Sequence, residues 1–263
     1  MTGQLEGHLV LVTGGAQGMG AAIARKAADE GASGIGILDR ADAGPIVSEL
    51  RDRGITALYV PVDLRDREAT TVAVDLVAEK LGGLDTVFNN AGIVERAFTN
   101  DVDFDTIPDD LWDMVLDINL NGTWIVSRAA TPHLKKSTRG PAIVNAASVA
   151  GKVAYSHTAY GVSKAGIIQL TKSMAMTLSP HIRVNCYCPG PIETAMSSTA
   201  VAAVDMDSRV KSITSANLLP RMGRPEEVAD LACFLAGNRA AYITGSSYDI
   251  DGGTLAWRGQ RED

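Results

Sequence analysis

Short aliphatic runs recur along this chain with enough residues between them for a helix each time, and that alternation limits the fold more than any other feature. The runs are Leu9–Val12, Gly34–Leu38, Ala57–Val60, Thr86–Phe88, Ala142–Val144, Ile182–Val184 and Ser247–Ile250. They read as continuous apolar strands, not as strands that alternate inward and outward residues. That pattern belongs to a parallel sheet covered on both faces. Parallel strands need crossover connections, and the intervening segments carry helix signals. Pro225 followed by Glu226 and Glu227 opens a helix whose Val228, Leu231, Ala232 and Leu235 form one apolar stripe. Gly44-Pro45 opens another, and Asp66 is placed to cap a helix that ends at Leu81 before Gly82-Gly83. No internal repeat or linker-like shift divides the chain. The expectation is α/β: residues 1–263 as a single domain, a doubly wound parallel sheet of about seven strands with helices on both faces.

Composition removes several function classes. Hydrophobic residues make up 46% of the 263, enough for a large core and too many for a mainly disordered chain. The 24 basic and 31 acidic residues leave a net charge of −7. No basic footprint for nucleic acid or for an anionic membrane is present, so neither is an expected partner. No run approaches a membrane span, and Met1–His8 has neither a basic segment nor an apolar core, so no secretory signal is read there. Three cysteines argue against a disulfide framework, and Cys186-x-Cys188 without a nearby histidine is a poor metal site. The expectation is a soluble cytoplasmic protein without a metal.

The first strand runs into Thr13-Gly14-Gly15-Ala16-Gln17-Gly18-Met19-Gly20 and then into a helix. A glycine-rich turn of this kind lets the backbone approach a pyrophosphate at the positive end of the helix. Its spacing is Gly-x3-Gly-x-Gly. Asp39 closes the second strand, where a carboxylate can accept hydrogen bonds from an adenosine ribose and repel a 2′-phosphate. Asp63 is read as closing the third strand, and Asn89-Asn90-Ala91-Gly92 as closing the fourth. Each alone is an ordinary turn residue or cap; their shared edge of the sheet is the argument.

Tyr160 and Lys164 lie four residues apart, on one face of a helix. A neighbouring ammonium favours the phenolate and fits the pair for acid–base work. Ser148, twelve residues before Tyr160 and just past a strand, is placed to hydrogen-bond a reacting oxygen. A Tyr-x-x-x-Lys pair by itself is a common accident; together with the serine and the glycine turn it is not.

On these residues, and on Asn119, Pro189-Gly190 and Asp251-Gly252-Gly253, the chain resembles the short-chain dehydrogenase/reductase family over essentially its whole length. The resemblance implies a Rossmann-like fold and catalysis by Asn119, Ser148, Tyr160 and Lys164. Tyr160 would be the acid/base, Ser148 would position the substrate oxygen, and Lys164 would lower the tyrosine pKa and bind the nicotinamide ribose. Asn119 would hold a water of the proton relay; as a residue read on its own, it is equally a satisfied buried polar group. The implied cofactor set is Gly14, Gln17, Gly18, Met19, Gly20, Asp39, Arg40, Asp63, Leu64, Asn90, Ala91, Gly92, Tyr160, Lys164, Pro189, Gly190, Ile192 and Thr194. The Tyr160–Lys164 spacing speaks against the family's enoyl reductases, which separate the two residues further.

The function expected from this resemblance is NAD-dependent interconversion of a secondary alcohol and a ketone by hydride transfer. Asp39 favours NAD over NADP, with Arg40 as the one basic residue beside it. Ile93, Val94, Val149, Val153, Tyr155, Pro191, Ile192 and Met196, together with a substrate loop at about 190–220, make an apolar pocket for a neutral small molecule. Asp101, Asp103, Asp105, Asp109 and Asp110 form an acidic rim or a solvated loop. A carrier-protein ketoreductase and a non-catalytic nucleotide sensor are the alternatives. Segments 110–131 and 158–178, apolar on more than one side, suit a homotetramer.

Overall fold

The computed structural model describes residues 3–100, 102–194, 215 and 217–257. Met196, Asp101 and most of the 190–220 loop lie outside the described residues. The seven expected strands form one parallel sheet: β1 (Leu9–Thr13), β2 (Gly34–Asp39), β3 (Thr56–Pro61), β4 (Thr86–Asn89), β5 (Ala142–Ala146), β6 (Arg183–Pro189) and β7 (Ser247–Ile250). Their spatial order is β3-β2-β1-β4-β5-β6-β7. Thr13 at the end of β1 pairs with Leu38 of β2 on one side and Asn89 of β4 on the other. The strand order reverses between β1 and β4, and a crevice opens there at the carboxyl ends of the strands.

The helices numbered here are α1 (Gly18–Asp29), α2 (Gly44–Asp52), α3 (Arg67–Leu81), α4 (Asp109–Leu116), α5 (Gly122–Leu134), α6 (Thr158–Leu178) and α7 (Pro225–Ala236). Two cores follow from the two faces of the sheet. Val10 and Val12 of β1 pack with Ile23 of α1, Leu50 of α2 and Val228 of α7. Leu11, between them, packs on the opposite face with Val77 of α3, Val126 of α5 and Met174 of α6. Adjacent strand residues thus enter different cores, which is why these strands read as unbroken apolar runs.

The helix signals act as anticipated. The Asp66 carboxylate accepts the Ala69 N–H at 3.0 Å, and Gly82 ends α3 in the left-handed conformation. Pro225 starts α7, and Glu227 reaches back to accept the Arg224 N–H at 2.8 Å. Three boundaries differ. β3 stops at Pro61, so Asp63 lies beyond the strand and does not close it; Val62 makes the last link, donating to the Asp39 carbonyl at 3.0 Å. β6 starts one residue later than expected and runs on to Pro189. Its polar members are satisfied internally, Asn185 by the Ile243 carbonyl at 2.8 Å and Tyr187 by Asn90 Oδ1 at 3.1 Å. Finally, the helical run 109–134 is broken by a π-helical turn, Asp117–Asn121, that carries Asn119.

Candidate active site

The turn after β1 is built for close approach. Gly14 has φ +66°, and a Cβ at Gly20 would lie 2.0 Å from the Gly14 carbonyl oxygen. Only glycine there lets α1 seat its first turn on the loop. Gln17 occupies the N-cap position of α1 without a side-chain cap, and the first turn holds no acidic residue. Its early N–H groups are therefore left for an incoming anion. Thr13 fixes the opposite wall, its Oγ1 accepting from the N–H groups of Asn90 and Ala91 at 3.0 and 3.1 Å.

A cleft of about 310 Å³ lies over this turn. It brings together Gly14, Gln17, Gly18, Met19, Asp39, Arg40, Asp63, Leu64, Asn90, Ala91, Gly92 and Thr194 of the sequence-derived set, and also Ile93. Phe98, Met114 and Ile118 line it too, and no motif in the sequence marks them. Gly20 lies beneath the cleft as a packing residue. Pro189 and Gly190 are not among its lining residues, and Pro191 and Ile192 face a separate hollow with Arg221 and Glu227. Of the remaining expected pocket residues, Val94 is buried, whereas Val153 and Tyr155 are exposed and line neither hollow.

Asp39 spans the mouth of the cleft. One carboxylate oxygen accepts from the Ala16 N–H and the other from the Ala41 N–H, each at 2.9 Å. Each oxygen keeps a further lone pair. Asp63 is engaged by the Arg65 guanidinium at 2.6–3.1 Å, which holds its carboxyl below the usual carboxylate range.

Asn119, Ser148, Tyr160 and Lys164 do not line the cleft; Gly92, which does, borders Asn119 and Lys164. A Cβ on Gly92 would lie 3.2 Å from Asn119 Oδ1 and 3.4 Å from Lys164 Nζ. Ser148, just past β5, accepts the Ala150 N–H at 3.2 Å and donates to the Pro189 carbonyl at 3.5 Å. Tyr160 and Lys164 share a face of α6, with Nζ 5.5 Å from the phenol ring centroid. Lys164 is buried and donates to the Ala146 carbonyl at 2.7 Å. Burial lowers its ammonium to about 8 and pushes the Tyr160 phenol up to about 12. The Ser148 hydroxyl pulls the phenol down, while Tyr155 and Glu95 push it further up. Burial is the largest influence on the phenol, and Lys164 is not among the groups that move it.

Asn119 is buried and engaged on both ends of its amide. Its Oδ1 accepts the Ile93 N–H at 2.8 Å, and its Nδ2 donates to the Ile93 carbonyl and to Ser163 Oγ, each at 3.0 Å. It ties the loop after β4 to α6. Glu95 in the same loop, unmarked by any motif, is fully buried and accepts the Tyr160 backbone N–H at 2.9 Å. The only signal for it in the sequence is an acid standing just past the apolar Ile93-Val94 pair.

Residues 14–254 match a family model described as enoyl-(acyl carrier protein) reductase. The chain belongs to the short-chain dehydrogenase/reductase family. Cis-4-hydroxycyclohexanecarboxylate dehydrogenase of Sinomonas cyclohexanicum is 35% identical over 253 residues, covering 95% of this chain and 97% of its own. Among solved structures, carveol dehydrogenase from Mycobacterium avium in complex with NAD superposes with a TM-score of 0.90 at 30% identity, covering 97% of this chain and all of that one. A short-chain dehydrogenase from Burkholderia cenocepacia in complex with NADP gives 0.85 at 32% identity, covering 96% and 99%.

Proposed function

We propose that this short-chain dehydrogenase interconverts a small secondary alcohol and its ketone with NAD(H). The observation that carries the reading is the place of Gly92, which lines the cleft over the glycine turn and also borders Lys164, the partner of Tyr160 on one face of α6. The dehydrogenases of hydroxycyclohexane carboxylates and of carveol among the relatives support the substrate class, a six-membered ring bearing a secondary hydroxyl, neutral in carveol and carrying a carboxylate in the cyclohexane acids. The apolar Ile93, Phe98, Met114 and Ile118 suit such a ring.

The cleft fits a dinucleotide. The uncapped first turn of α1 provides N–H donors for a pyrophosphate, and Asp39 keeps acceptor capacity for ribose hydroxyls. When bound, the nicotinamide accepts or returns the hydride. The protein moves one proton. Tyr160 takes it from the alcohol or gives it to the ketone, and Ser148 hydrogen-bonds the same oxygen as charge develops. Lys164, fixed by the Ala146 carbonyl, keeps an ammonium beside the phenol.

NAD over NADP follows from Asp39. Hydrogen bonds to a charged group contribute roughly 1.5–3 kcal/mol, about tenfold or more in affinity, and a 2′-phosphate would replace them with repulsion. Arg40, exposed at the cleft, is the one opposing charge on that loop. The test is steady-state kinetics with both cofactors over cyclic, aliphatic and terpene alcohols. Expected are turnover of a cyclic secondary alcohol, kcat/KM favouring NAD by at least about tenfold, and a Tyr160→Phe loss of at least ~10²-fold in kcat with NADH affinity intact. A Phe variant with most of its kcat overturns the role of Tyr160, and equal use of NADP overturns that of Asp39.

A further inference from the structure

Helix α6 carries the catalytic tyrosine in its first turn, and that turn lacks its own cap. His157, at the N-cap position, makes no side-chain cap hydrogen bond, and no acidic residue stands in the first turn. Tyr160 is the third helical residue, so its N–H is one of the donors that an α-helix cannot satisfy internally. Glu95, 65 residues upstream on the loop after β4, satisfies it with Oε1 at 2.9 Å. The second oxygen, Oε2, is buried without a hydrogen-bond partner among the described residues. A fully buried carboxylate held through one N–H is costly for a fold, and such departures cluster at functional sites. Its loop is the one Asn119 ties down at Ile93, and Ile93 lines the cleft.

We propose that Glu95 is a positioning residue. It caps α6 from outside the helix and so fixes the Tyr160 backbone, and with it the phenol, against the cleft and Ser148. The assignment rests on the dehydrogenase reading for its kinetic consequence but not for its geometry. Misplacing a reacting group by about 1 Å costs as much as ~10²-fold in rate. The carboxylate also opposes the phenolate. The groups facing Tyr160 are the Lys164 ammonium on its own helix, Tyr155 at 6.1 Å with His157 stacked on it, Ser148 after β5, Tyr187 on β6 and Glu95 after β4. Among them Glu95 is the carboxylate.

The experiment compares Glu95→Gln, Glu95→Ala and Tyr160→Phe in the full chain. The readouts are kcat and KM for cyclohexanol and carveol with NAD, NADH affinity, and hydrogen exchange at the Tyr160 amide. Expected for Glu95→Ala is a fall in kcat of at least about tenfold, with KM and NADH affinity within about twofold and faster exchange at that amide. Glu95→Gln keeps an acceptor for the N–H and regains most of kcat. Having lost the charge, it moves the tyrosine limb of the kcat–pH profile to lower pH. The proposal is overturned if the alanine variant keeps wild-type kcat, if the Tyr160 amide stays equally protected, or if glutamine rescues neither. Should Glu95→Ala not fold, the pH limb and amide exchange of Glu95→Gln carry the decision. If the wild type turns over neither alcohol, the dehydrogenase reading fails, and the amide exchange still decides whether Glu95 holds Tyr160.

Discussion

Lys164 is a buried ammonium whose protein acceptor is one backbone carbonyl, and its cost has a definite pH signature. Its folded value of about 8 lies below the ordinary 10.5. Between those values the unfolded chain binds the extra proton, so stability rises with pH across that window and the penalty is fully present below it. The penalty is about 3 kcal/mol. Lys164→Met removes it and leaves the Ala146 carbonyl unpaired, a loss of about 1–3 kcal/mol. At pH 7 the methionine variant is therefore expected to melt no lower than the wild type while losing at least ~10²-fold in turnover. Toward pH 10 the wild type should gain on it. Tyr160 acts oppositely: its raised value of about 12 gives stability that is present below pH 10 and lost as pH rises through 12. Thermal melts of both proteins from pH 7 to 10 check this, and a wild type that melts clearly higher at pH 7 would make the ammonium a structural asset.

At the scale of elements, the glycine turn and α1 behave as one piece. A methyl on Gly20 meets the Gly14 carbonyl oxygen at 2.0 Å, and that carbonyl also accepts from Asn90 Nδ2 at 3.3 Å. Gly20→Ala must push α1 off the loop, which is expected to cost about 2–3 kcal/mol, the upper range for overpacking, and to weaken NADH binding more than tenfold. Asp66→Ala removes only the α3 cap: about 1 kcal/mol of stability with kinetics unchanged. Melting curves and NADH titrations separate the two effects. Both features were legible in the sequence because turns and caps are local. So were the strands, since two buried faces leave an unbroken apolar run. What the sequence concealed is long-range pairing of polar groups. Arg183 begins β6, yet its guanidinium donates to the carbonyls of Leu235, Ala236, Gly237 and Ala240, closing the end of α7. Glu95 caps α6 across 65 residues. No local spacing encodes such partners.

At the scale of the whole molecule, the outer helices carry exposed apolar side chains. On α5, the guanidinium groups of Arg67 and Arg128 each lie over the Trp124 ring, 5.3 Å from its centroid. On neighbouring α3, Val72 is 60% exposed, and on α6 Met176 is 80% exposed and Val162 46%. These side chains lie outward on helices whose inner faces are already committed to the sheet, where Val126 and Met174 are buried. An outer face carrying a tryptophan with two arginines, the composition enriched at interface centres, suits isologous pairing of copies. Two such pairings at right angles give a tetramer. The expected outcome is a tetramer mass by light scattering at micromolar concentration, with Trp124→Ala or Met176→Asp shifting the mass toward the dimer. The cleft that holds the glycine turn and Asp39 lies within one chain, so a dissociated dimer should keep NADH affinity. A monomer mass for the wild type would leave these outer faces as solvent-exposed surface and sink the assembly.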